Sequence, residues 1–159
     1  MLIPQQDRAG DEGLVGAVVD EVTVTVEAGK IGEFAKATHA ADPVHTDPAA
    51  ARESGFSSVA ATPTHVVVAG HHRDQRGFVA ALGLDITRIV VGSVEWEYTR
   101  PLVAGDRLTG VRRVVDDATR EGKRGGTMRL VTLQTDWTGD DGAVALTQRE
   151  VLVERGVAR

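Results

Sequence analysis

The eleven residues from Thr38 to Pro48, THAADPVHTDP, place His39, Asp42, His45 and Asp47 within nine positions. Imidazoles and carboxylates are the side chains that move or direct protons near neutral pH, so this spacing suits general acid–base chemistry. His45, His39 and Asp42 are the catalytic candidates. Among them stands Ala40, a methyl group with no proton to exchange. Asp42 precedes Pro43, which biases it to an extended backbone and makes a turn cap its simpler role, with orientation of His45 as the alternative. Asp47, followed by Pro48 and closed by Gly55, is the expected N-cap of a short helix.

A second stretch, TPTHVVVAGHH, supplies substrate-binding candidates: Thr62, Thr64 and His65, with Ala40 facing the same space. Amides at a helix start stabilise negative charge gathering on a carbonyl oxygen, and Thr62 or Thr64 can donate one where Pro63 cannot. Thr62 is also the expected helix cap. His65 faces either a tunnel or the sheet, while His71 and His72 belong at an interface or in solvent. His65 and His72 share a helix face, but two histidines without a nearby acid make a poor metal site, so no metal and no cofactor are expected.

Hydrophobic period outlines the elements that hold these residues. After a polar lead over residues 1–17, Val22, Val24 and Val26 alternate with threonines as a half-buried strand. Ile31, Phe34 and Ala35 share one face of a helix. Val66-Val67-Val68-Ala69 is apolar on every side, as in a helix surrounded by protein, expected to run from Val66 to Leu82 unless HHRDQRG breaks it. The period then changes to two: Val90, Val94, Trp96 and Tyr98 face in, with Ser93, Glu95 and Glu97 facing out. Three more strands follow, separated by GKRGG and GDDG. One strand, a helical middle and a four-strand meander make an α+β domain over residues 18–159.

Composition narrows the function. The chain has 159 residues, 42% of them hydrophobic, which suits one domain. It has no cysteine, which excludes a disulfide or thiol nucleophile, and a net charge of −5, which argues against nucleic acid. No apolar run is long enough to span a membrane and the N-terminus lacks a signal-peptide pattern, so a cytoplasmic protein is expected. Ser57, Ser58 and Ser93 lack the strand-turn-helix elbow of a serine hydrolase. Arg100 and Arg107 are candidates for the phosphates of a carrier.

The strand order, with VVGSVEWEYTRPLVAGDRLTG and FAKATHAADPVHTDPAAARESGF, resembles the MaoC-like dehydratases of the hotdog fold, especially the fatty-acid-synthase-type dehydratase domain. The second stretch resembles that family's hydratase motif, Ser/Thr-Gly-Asp-any-Asn-Pro-aliphatic-His. Laid on it, Thr38 takes the hydroxyl position, His39 the glycine, Ala40 the catalytic aspartate, Asp42 the asparagine and His45 the catalytic histidine. The resemblance implies a curved antiparallel sheet wrapped around a central helix. It also implies a homodimer, or a heterodimer with a related hotdog chain, and a tunnel for an acyl thioester on acyl carrier protein or coenzyme A.

With alanine where the aspartate belongs, three activities stay open. The chain is also similar to actinobacterial thioesterase-like hotdog members that add an amine such as glycine to an enoyl thioester, some then hydrolysing it. An amine attacks as the neutral base, so one histidine suffices to carry its proton to the α-carbon. This Michael addition is the leading expectation. The alternatives are an (R)-specific enoyl-thioester hydratase or dehydratase, and the non-catalytic subunit of a heterodimeric dehydratase.

Overall fold

The computed structural model describes residues 13–122 and 125–156. The first twelve residues of the polar lead lie outside that range; its end is tied down, with the Gly16 amide donating to Val114 O at 2.8 Å. Five strands, β1 (Val18–Thr25), β2 (Ile89–Tyr98), β3 (Arg107–Glu121), β4 (Thr127–Gly139) and β5 (Val144–Arg155), form one antiparallel sheet in the order β1-β3-β4-β5-β2. The helices are α1 (Ala28–Ala37), α2 (Pro48–Glu53) and α3 (Gln75–Ala81), with a 3-10 helix at His65–His72 between the last two. This is the α+β hotdog arrangement, a curved sheet around a central helical segment. Among the described residues, no helix is long and apolar enough to cross a membrane.

The meander has three strands rather than the expected four. β2 pairs with β5, so it lies on the sheet edge opposite β1 and its chain must cross over to enter β3. The crossing is braced by Arg100, whose guanidinium holds Asp106 through two bonds of 2.7 and 3.0 Å. That bidentate pair gives Arg100 a structural partner in place of a carrier phosphate.

β1 alternates as expected, with Val22 and Val26 buried and the threonines exposed. In β2, Trp96, Tyr98 and Val94 face inward as expected, but Val90 is exposed. A register shift between Val91 and Ser93 reverses the alternation, placing Ile89 against the core and Val90 outside. Gly92 sits in that bulge, where a Cβ would come within 3.0 Å of the Val153 side chain.

The central helix is broken. The 3-10 helix ends at His72, Arg73 turns to extended backbone (φ −100°, ψ 142°), and Asp74 caps α3 by accepting the Gly77 amide at 2.9 Å. The reason lies in the sheet. Register aligns Asp20, Arg112, Thr135, Gln148 and Trp96 side by side across all five strands, a polar row on the concave face. It separates one apolar cluster around Ile31, Leu108, Trp137 and Leu146 from another around Phe78, Leu82, Val131 and Leu133. Arg73 drops out of the helix into this row, pairs with Asp20 and lies over the Trp137 ring, 5.2 Å from its centroid.

Candidate active site

The histidine turn is built from a helix end. Thr38 closes α1 and its hydroxyl donates back to Phe34 O at 2.8 Å. His39 follows with φ 57°, its amide donating to Lys36 O at 3.3 Å, while the Ala40 amide donates to Ala35 O at 2.9 Å. These bonds satisfy the last helical carbonyls in the pattern that usually places glycine at the left-handed position. The imidazole of His39 is therefore carried on strained backbone, exposed to solvent. His39→Gly is expected to raise unfolding stability by about 0.5–1 kcal/mol, less than the full strain because glycine loosens the unfolded chain. Urea melts check this; a loss of stability would mean that the imidazole makes a stabilising contact.

Asp42 caps the next turn, Pro43–His45, its Oδ1 accepting the Val44 amide at 3.0 Å. This turn delivers His45, half-buried, with Nδ1 2.6 Å from Ala60 O. A carbonyl only accepts, so Nδ1 is the donor, and in the neutral ring the lone pair falls to Nε2. Ala60 is itself fixed: its amide donates to Val44 O at 2.9 Å, it bridges to Val103, and the Ala61 amide donates to Leu102 O at 2.9 Å. A backbone strut thus sets both the orientation and the tautomer of His45, a task that many active sites give to a carboxylate. The His45 amide donates to Asp42 O at 3.2 Å, but neither the Asp42 carboxylate nor the His39 imidazole bonds to the His45 ring among the described residues; the Asp42 side chain is engaged by the turn and His39 lies exposed. Ala40 is half-buried.

The second candidate segment differs from expectation at its start. The 3-10 helix begins at His65, with Thr64 at the N-cap and no side-chain cap bond. Thr62 does not cap; its side chain is buried, and its Oγ1 has no partner among the described residues. Pro63 is held instead by Tyr98, whose hydroxyl donates to Pro63 O at 2.5 Å, which draws the turn toward β2. Burial pushes Tyr98 up to about 12, so it stays a neutral donor. The amides of Thr62 and Thr64 have no acceptor among the described residues. His65 is 4% exposed, stands edge-on to Phe34 with centroids 5.4 Å apart, and is held below its usual pKa by burial. It borders a cavity of about 30 Å³ with Thr25, Lys30 and Leu102, enough for one water. His71 and His72 are exposed. Among the described residues, no three His, Asp or Glu side chains gather as a metal site.

Three features had no side-chain signal in sequence. The Ala60 carbonyl that orients His45 is backbone, Tyr98 acts on a carbonyl 35 residues away, and Arg73 reaches its partner only because the helix breaks.

Comparison with known proteins identifies the fold and the family. A family model described as the FAS1-like dehydratase domain region matches residues 13–148. A UPF0336 protein of Clavibacter michiganensis subsp. michiganensis is 38% identical over 128 residues, covering 80% of this chain and 83% of that one. The solved MaoC-like dehydratase of Rhodospirillum rubrum is 27% identical with a TM-score of 0.62, covering 90% of this chain and 95% of that one. A solved HadBC (3R-hydroxyacyl-ACP dehydratase) complex from Mycobacterium tuberculosis has a TM-score of 0.71 at 23% identity, covering 83% of this chain and 90% of that one. The match over 13–148 takes in the histidine turn, the 3-10 helix and all but the last part of the sheet, and the chain accordingly belongs to the FAS1-like, MaoC-like family of hotdog dehydratases.

Proposed function

We propose that the chain acts on acyl thioesters as a hydratase or dehydratase of the 3-hydroxyacyl/enoyl type, with His45 as its proton-handling residue. The observation that carries this is the 2.6 Å contact between His45 Nδ1 and Ala60 O, which makes Nδ1 the donor and leaves Nε2 unengaged. The relatives support water chemistry, the alternative to amine addition, better than amine addition itself.

In the dehydration direction Nε2 takes the α-proton, and the C–H electron pair forms the C2=C3 bond. The C3–O bond breaks, and the imidazolium returns its proton to the departing hydroxyl as water. The Ala60 carbonyl stabilises the imidazolium through Nδ1–H, and the free amides of Thr62 and Thr64 are donors for the thioester oxygen as it gathers charge. Asp42 shapes the turn, and His39 lies at its rim. A second reading follows from Ala40, which lacks the carboxylate that a paired aspartate and histidine would supply: the chain is one subunit of a heterodimer, its partner carrying the complete pair. The HadBC likeness favours an assembly of that kind.

Turnover of enoyl and 3-hydroxyacyl thioesters by the purified chain tests both. Ala40→Asp is expected to raise hydration by roughly 10²-fold, the lower end of general acid–base effects. Turnover only when a second hotdog chain is added would select the subunit reading. An Ala40→Asp rate no higher than wild type would mean that this position does not face the reacting carbons.

A further inference from the structure

We infer that the polar row on the concave face is a binding site for an oxygen function on the substrate's acyl chain, a carboxylate or a hydroxyl remote from the thioester. This rests on the acyl-thioester reading above and adds the substrate class. A cavity of about 160 Å³ lies between the 3-10 helix and the sheet, walled by Val66 and Gly70 on one side and by Val94, Arg112 and Gln148 on the other, with Arg73 at its lining. It shares Val66 and Ala69 with the small cavity beside His65, so the two flank the same stretch of the 3-10 helix.

A pocket for a plain hydrocarbon chain would be apolar throughout, whereas this one sets Arg73, Arg112, Gln148 and Glu150 among apolar walls of Val66, Val94 and Trp137. The Arg73 side chain is 2% exposed; Asp20 faces its Nη1, and its Nη2 is buried with no acceptor among the described residues. Trp96, in the same sheet row but beyond the cavity's lining, has a buried Nε1 that also lacks one. Arg112 is spoken for, donating to Thr135 Oγ1 at 3.3 Å and meeting Glu150 at 3.3 Å. What the row leaves open is donors, and buried donors call for an oxygen acceptor. Desolvation first, then the neighbouring Arg112, lower Arg73 to about 10, which leaves it cationic at neutral pH.

The test is calorimetric titration of the full chain with coenzyme A thioesters of graded length, each as a matched set ending in methyl, hydroxyl or carboxylate. At the best length an oxygen-ended thioester should bind at least tenfold tighter than its methyl-ended match, and whichever oxygen arm is tighter names the group. Arg73→Met should remove that preference while keeping affinity for the methyl-ended chain. If Arg73→Met fails to fold, Val94→Phe, which fills the cavity, should abolish the oxygen preference and move the best length to shorter chains. Equal or tighter binding of the methyl-ended chains by wild type overturns the inference and leaves the proposed function standing. Failure of every thioester to bind, with no turnover, removes both.

Discussion

Replacing His45 with alanine is expected to lower hydration and dehydration turnover by roughly 10²- to 10⁴-fold, the range of a lost general acid–base group. On the proposed reading His45 takes the α-proton, because among the described residues it is the imidazole whose Nδ1 is held by a buried carbonyl. His39 stands exposed, and His65 is buried against Phe34. Thioester affinity should change little, so the loss falls on kcat rather than KM. The variant also strips Ala60 O of its donor, at a cost of about 1 kcal/mol, small enough to leave the fold intact. Steady-state kinetics with an enoyl thioester, alongside a thermal melt, decides it. A folded variant with wild-type kcat would remove His45 from the chemistry and assign the proton transfer to another group of the same chain.

Local pattern revealed those parts of the fold that local physics determines. Val22, Val24 and Val26 announce β1, and Asp47-Pro48 announces α2, where the Asp47 carboxylate accepts the Ala49 amide at 2.8 Å. The motif spacing likewise singled out His45. What pattern could not show is what depends on register between distant strands. Asp20, Arg112, Thr135, Gln148 and Trp96 are spread over more than 120 residues, and only the pairing of five strands lines them up. Val90 was placed on the wrong face because one bulge at Gly92 shifts the period, and a bulge leaves no mark on alternation beyond the glycine itself. The helix break followed from the same register: HHRDQRG is ambiguous until the sheet offers Arg73 a carboxylate.

That dependence predicts the largest stability effect in the molecule. Asp20→Ala leaves the Arg73 guanidinium buried without its counter-charge, a change that typically costs about 3–5 kcal/mol, a large share of the 5–15 kcal/mol that holds a domain together. The pair also ties edge strand β1 to the junction between the 3-10 helix and α3, so its loss should loosen both. A buried ion pair is not itself a strong source of stability, because desolvation offsets most of its attraction. The double variant Asp20→Ala, Arg73→Met should therefore recover most of the loss, since methionine can fill the space over Trp137 without a charge. Denaturant melts of the two single variants and the double measure the coupling. If Asp20→Ala proves neutral, Arg73 draws its compensation from Glu150 across the row, and the helix break must be explained by Gly70 and Asp74 instead. If the single variant is unstable and the double is not rescued, packing rather than charge fixes Arg73 in place. Recovery in the double variant, accompanied by loss of any preference for oxygen-ended acyl chains, would show that the arginine is retained for what it binds, since the fold can do without it.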